Sequence, residues 1–241
     1  ELKKAYRATG DSRYVETFAE LARKKIKKHP LEETLHKKHP VYGWRGYPWL
    51  DIQTGIRVQN ICGVFPWFVH SKAFTPEFLG ILLASVYDHQ VKTEKIPMES
   101  LHNKAIFEQM GFIKGIHTFP EFKERVRWLS LSMQRTSRLL LGQTTTDGVQ
   151  REWCGGYHSG VYTDAMEIDR LVSELNHRTP AAFQNRMQAM AEYIFWISTP
   201  ELAFPMFGDT SRKPPQSPER KSWQLYDILV EAGERFGDPK Y

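Results

Sequence analysis

Apolar residues recur at helical spacing through almost the whole chain, and this periodicity limits the possible folds more than any other feature. Val161, Ala165, Ile168, Val172 and Leu175 are separated by four, three, four and three positions, and Phe183, Met187, Met190, Ile194 and Ile197 repeat the series. Each set lies on one stripe of a 3.6-residue helix. Leu225, Leu229, Ala232 and Phe236 predict another stripe. Phe122, Val126, Leu129, Met133 and Leu140 predict one more, on a helix opening at Pro120-Glu121 and ending near Gly142. Start signals agree: Thr75-Pro76-Glu77, Thr179-Pro180 and Ser217-Pro218-Glu219 each place a capping residue before a first-turn proline, and Gly237 suits a helix end. No segment alternates convincingly as a strand. The chain reads as all-α, with helices starting near Ser12, Asp51, Pro76, Met98, Pro120, Tyr157, Ala181 and Pro218. Antiparallel hairpins of this kind build a bundle, a solenoid or a closed toroid, and periodicity does not choose among them.

The stretch from Ile56 to Val69 is apolar nearly all round, with Pro66 inside and Arg57 and Asn60 as its polar points. It is expected to be buried among neighbours that satisfy those polar groups. Two loops, His29 to Leu50 and Thr199 to Ser217, are long enough to carry function. With 241 residues and 41% apolar content, the chain suffices for one large domain or two small ones. No apolar run approaches the roughly 20 residues of a membrane span. The chain opens on Glu1, without Met or a leader, as expected of a processed product or an excised piece. Cys62 and Cys154 fit no zinc spacing; they either pair or remain buried free thiols.

Net charge is +5, which favours a polyanionic partner without naming it. The densest basic run, Lys24-Lys25-Ile26-Lys27-Lys28-His29, is echoed by His36-Lys37-Lys38-His39 and also reads as a solvated helix end and loop. No basic–aromatic module or zinc-finger spacing points to nucleic acid. Seven Trp residues include faces able to stack on sugar rings, although most are expected in the core.

The segment from Thr144 to His158 combines a turn signal at Asp147-Gly148, charged Arg151 and Glu152, and the pair Gly155-Gly156, which permits close backbone approach. Tyr157 and His158 then open a helix, near the positive end of its dipole. About 100° separates neighbours on a helix, so the two point in different directions. A second polar cluster, His102-Asn103-Lys104 with Glu108 beyond, starts another helix. Each cluster alone also reads as an ordinary helix entry.

Together these clusters resemble the heparinase II/III family of polysaccharide lyases. Asn103 with Glu108 matches one family motif, and Asp147-Gly148, Glu152 and Tyr157-His158 match its Asp-Gly-x-x-x-Glu-x-x-x-x-Tyr-His loop. Ala5 to Tyr14, Arg57-Val58-Gln59-Asn60, Phe119-Pro120-Glu121-Phe122 and Phe204 to Thr210 resemble further segments, in the family's order. The resemblance implies an incomplete (α/α) toroid spanning 1–241 as one catalytic domain, normally followed by a β-sandwich that this chain does not contain. One position departs from the pattern: Lys104 stands where the family commonly has His. A lysine keeps a donor and a charge but is a poor proton shuttle near neutral pH.

The chemistry implied is β-elimination at a uronate, with Asn103 polarising the sugar carboxylate and Tyr157 protonating the leaving oxygen or, in some stereochemistries, acting as base. His158, Arg151 and Lys104 are candidate cationic neighbours, and His102 stands beside Asn103. Glu152 is expected to orient its loop, and Arg57 either binds a carboxylate or sulfate or serves as a buried structural partner. By resemblance, the substrate is an acidic polysaccharide (heparin or heparan sulfate ahead of alginate), this chain needs no cofactor or metal, and the protein is periplasmic or secreted. A structural metal is possible in the missing domain, from which family members also draw a further catalytic His. Two other readings are a glycoside hydrolase, with Glu152 and Asp209 as the carboxylate pair, and a non-catalytic glycan-binding domain.

Overall fold

The computed structural model describes residues 1–31, 49, 52–210 and 225–241. Among these residues the chain forms nine α-helices and no strand: α1 (Leu2–Thr9), α2 (Arg13–Lys28), α3 (Gln53–Phe68), α4 (Pro76–Lys95), α5 (Asn103–Thr118), α6 (Arg125–Gln143), α7 (Gly155–Glu174), α8 (Ala181–Ile197) and α9 (Tyr226–Phe236). A lone antiparallel bridge joins Thr144 to Gln150. By contacts the chain divides into two compact units, Glu1–Met98 with Gly111–Leu131, and Glu99–Met110 with Ser132–Tyr241.

In the first unit, α1 and α2 close over an aromatic core. Phe18, Phe68, Phe74 and Phe78 gather there with Val15, Ala19 and Leu82, and the Tyr6 ring meets Phe68 edge-on. Burying each such side chain contributes about 1.5–3 kcal/mol. α3 and α5 touch where two glycines meet: a Cβ on Gly111 would lie 2.5 Å from the Gly55 Cα. Contrary to expectation, α3 is not enclosed all round. Asn60, Gly63 and Trp67, three and four positions apart, face solvent on one stripe, and the Arg7 guanidinium covers the Trp67 ring. The Thr75 hydroxyl caps α4 by accepting from the Phe78 N–H at 3.3 Å.

In the second unit, α7 packs on α8 and α8 on α9. Val161, Ala165, Ile168 and Val172 are buried, as are Phe183, Met187, Met190, Ile194, Leu229 and Ala232. Gly237 closes α9 in the left-handed conformation, φ 65. Thr179 does not cap α8; its hydroxyl donates to the Asp169 carboxylate, which also binds Arg235. The cap expected at Ser217-Pro218 lies outside the described residues, as does most of the His29–Leu50 loop.

The stripe expected from Phe122 to Leu140 needs correcting. The helix starts at Arg125, and Val126 is 77% exposed. Leu129 and Leu140 are buried as expected, and the buried face also carries Trp128, Ser132, Thr136, Leu139 and Gln143. Three of those last five side chains are polar, so an apolar count finds only part of the face. Both cysteines are free and buried, and burial pushes the Cys62 thiol up to about 11.

Candidate active site

The second unit brings most of the candidate residues together, starting from the end of α6. Arg186 Nη1 donates to the Thr144 carbonyl at 2.7 Å, the Thr144 hydroxyl at 2.8 Å and the Leu141 carbonyl at 3.3 Å. A cation thus closes the negative end of the helix. The chain then turns tightly: the Thr145 N–H donates to the Val149 carbonyl and the Arg151 N–H to the Gln143 carbonyl. Gly148 sits at φ 89, and a Cβ there would lie 2.3 Å from the Ala189 carbonyl carbon. Only glycine fits this turn.

The turn delivers Glu152 to the first residue of α5. The Asn103 N–H donates to Glu152 Oε1 and the Asn103 Nδ2 to Oε2, both at 2.6 Å. A carboxylate accepts only, so this pair fixes which side of the Asn103 amide carries nitrogen. The second N–H of that amide is the one able to meet a ligand. Glu152 is itself braced, because its N–H donates to Gln150 Oε1 at 2.8 Å. It therefore orients Asn103 and receives a first-turn helix N–H.

α7 begins at Gly155, three positions after Glu152, with Tyr157 in its first turn. Its N-terminus is closed from far along the chain: the Gly155 N–H donates to the Thr210 hydroxyl at 2.9 Å across 55 positions. The Phe204 ring lies against Gly155, where a Cβ would meet it at 2.7 Å. Among the described residues Gly156 has no such neighbour; the nearest atom is the Cys154 Sγ, at 3.7 Å.

Tyr157 is partly exposed and donates its hydroxyl proton to Asp209 Oδ2 at 3.1 Å. That carboxylate raises the phenol above its ordinary pKa of 10.0. Cationic neighbours would be needed to make Tyr157 a base, and its hydrogen-bonding neighbour is an anion. The environment suits an acid.

His158 points into the core. It is 2% exposed, with Nδ1 accepting from the Gln150 N–H at 3.3 Å and Nε2 meeting the Met190 carbonyl at 3.2 Å. These partners fix a neutral ring protonated on Nε2. Burial lowers its pKa to about 4. His158 thus supports the loop and stays out of reach of a substrate, a correction to its reading as a cationic neighbour of Tyr157. Lys104 and Arg151 are exposed, and His102 is half-buried with a Nδ1 that makes no hydrogen bond. Glu108 is fully buried on α5.

Arg57 belongs to the first unit. Its Nε donates to His89 Nε2 at 2.8 Å, and the His89 Nδ1–H then donates to the Ser85 carbonyl. Its guanidinium lies 5.0 Å from the Trp49 ring centre. Burial lowers Arg57 to about 10 and His89 to about 3. Arg57 lines an apolar cavity with Phe18, Ile26, Trp49, Leu82 and His89. Among the described residues no group of three or more His, Cys, Asp or Glu is placed to hold a metal ion.

Sequence reasoning missed the roles of Asp209, Thr210, Gln150 and Arg186. The one available signal was the Phe204–Thr210 segment, whose Gly208 (φ 57) closes on the Trp153 carbonyl oxygen; a Cβ there would lie 2.7 Å away.

The family pattern described as Heparinase II/III N-terminus matches residues 1–227. The chain belongs to the heparinase II/III family. It is 26% identical over 216 residues to the heparin-sulfate lyase of Bacteroides thetaiotaomicron, covering 86% of this chain and 30% of that protein. It is 29% identical over 209 residues to the heparin-sulfate lyase of Pedobacter heparinus, covering 85% and 30%. Among solved structures, heparinase III matches with a TM-score of 0.83 at 24% identity, over 98% of this chain and 35% of its own. The heparan sulfate lyase of Pedobacter heparinus matches with a TM-score of 0.69 at 26% identity, over 87% and 32%. The chain therefore spans about a third of the length of these relatives. The likeness gives the all-α, (α/α)-toroid fold class expected from the sequence.

Proposed function

We propose that this chain forms the helical catalytic part of a lyase that cleaves a uronate-containing acidic polysaccharide, heparan sulfate first, by β-elimination. The observation that carries the reading is the two-point grip of Glu152 on Asn103, five positions before Tyr157 and within the same compact unit. Asn103 presents its second amide N–H to the uronate carboxylate and stabilises the enolate-like charge that develops as the C5 proton leaves. Tyr157, kept protonated by Asp209, rotates its hydroxyl toward O4 and protonates the departing oxygen. The C5 proton goes to a base from the rest of the enzyme, as the family resemblance implies. Lys104 and Arg151, both exposed, supply positive charge for carboxylate or sulfate groups. No step needs a metal or cofactor from this chain. The relatives named as heparin-sulfate lyases support the substrate class, and they support a periplasmic or secreted location for an enzyme of such a polymer. Among the described residues no helix is long and apolar enough to cross a membrane.

The hydrolase reading fits the site less well. Both oxygens of Glu152 are engaged by Asn103, and Asp209 accepts from Tyr157. The test is incubation of the full-length protein with a panel of uronate polysaccharides. Ultraviolet absorbance from an unsaturated uronate product is expected. New reducing ends without that absorbance would assign hydrolysis, and no cleavage of any polymer would leave glycan binding as the function.

A further inference from the structure

We propose that Trp153 is a stacking platform for a sugar ring of the acidic oligosaccharide bound beside Asn103 and Tyr157, an inference that rests on the glycan-cleaving reading above. Trp153 has φ 53, a conformation that bulky side chains rarely adopt. Such strain persists only where the surroundings impose it, and here they do. Its N–H donates to the Gln150 carbonyl at 3.3 Å. Glu152 before it is bound by Asn103 and Gln150, and Gly155 after it is bound by Thr210. Gly208 shuts against its carbonyl oxygen.

What this backbone presents is an indole that is 65% exposed. Among the described residues the indole has no ring partner, cation or hydrogen bond. A large aromatic face, 65% exposed on a loop whose backbone is held on both sides, is open to a ligand. It matches the C–H face of a pyranose, the one apolar surface of an otherwise charged sugar. The position, directly after the residue that orients Asn103 and four before Tyr157, places it within the loop that forms the site.

The experiment compares wild type, Trp153→Gly and Trp153→Phe in the full-length enzyme on size-defined heparan sulfate oligosaccharides. Glycine adopts φ 53 freely, so it removes the ring while keeping the backbone. KM is expected to rise about tenfold or more in the glycine variant with kcat within about threefold, and phenylalanine should restore most of the affinity. An unchanged KM in Trp153→Gly, or a loss confined to kcat, would overturn the platform. Should the wild type form no unsaturated product, the lyase reading falls separately. Calorimetry of the same oligosaccharides then decides: weaker binding by Trp153→Gly supports the platform, and equal binding removes it.

Discussion

Replacing Glu152 tests the link between fold and site directly. Its carboxylate accepts two charge-assisted hydrogen bonds of 2.6 Å from Asn103, one from the main chain at the start of a 16-residue helix. Bonds to a charged group contribute about 1.5–3 kcal/mol net each, and the helix dipole adds about 0.3–1 kcal/mol. The site is only partly buried, so water replaces some of this. Glu152→Ala should therefore cost about 2–3 kcal/mol, which lowers Tm by about 4–12 °C for a chain of this size. In Glu152→Gln one amide N–H faces an Asn103 N–H, so it should lose about half as much. A double-mutant cycle with Asn103→Ala isolates the side-chain bond, because the main-chain N–H survives in that variant; a coupling of about 1 kcal/mol is expected. Thermal and urea unfolding followed by circular dichroism measure all five proteins, wild type included. A Glu152→Ala chain melting within a degree of wild type, or a coupling of zero, would show that water caps α5 equally well and that Asn103 is positioned by something else.

Tyr157→Phe in the full-length enzyme should lower turnover by about 10²–10⁴-fold with little change in binding, and wild-type-like turnover would remove Tyr157 from the mechanism. Asp209→Asn should move the basic limb of the kcat–pH profile to lower pH, because the carboxylate that keeps the phenol protonated is gone; an unmoved limb would contradict that coupling. His158 is neutral in the fold with a pKa of about 4 against an ordinary 6.5, so its contribution is complete above about pH 6.5 and declines as pH falls toward 4. Urea unfolding at pH 7, 5.5 and 4 should show that decline, and His158→Gln should flatten it. Gly148→Ala should destabilise by about 2–5 kcal/mol through a positive φ and a backbone clash, whereas Gly156→Ala should stay within about 0.5 kcal/mol. Equal melting of the two would refute the packing argument.

How much was legible in the sequence depended on the range of the interaction. The stripes of α7, α8 and α9 were readable because burial follows a local period, and the Gly155 approach followed from the absence of a side chain. The α6 face was read only in part: Leu129 and Leu140 are buried as expected, but Ser132, Thr136 and Gln143 are buried polar residues that no apolar count includes. The roles of Asp209, Thr210 and Arg186 were invisible for another reason. Their partners lie 52, 55 and 42 positions away, and a hydrogen bond across such a distance leaves no periodic trace. The role expected of Glu152, orienting its loop, needed only the direction of a carboxylate, but its partner was not legible from spacing.

The Thr210 bond to Gly155 also sets a schedule for the ribosome. α7 emerges with its first-turn N–H unmet, and the hydroxyl that meets it is made 55 residues later, roughly 3–11 s at usual elongation rates. During that interval Gly155 also lacks Phe204 and the Trp153 carbonyl lacks Gly208, so the left-handed backbone is held from its N-terminal side alone. Asn103 and Glu152 can already pair. The nascent chain therefore acquires the two halves of its site in sequence, first the amide side and then the phenol side. A stall or rare-codon cluster between the codons for α8 and Thr210 would prolong a state in which one half stands ready and the other is unformed.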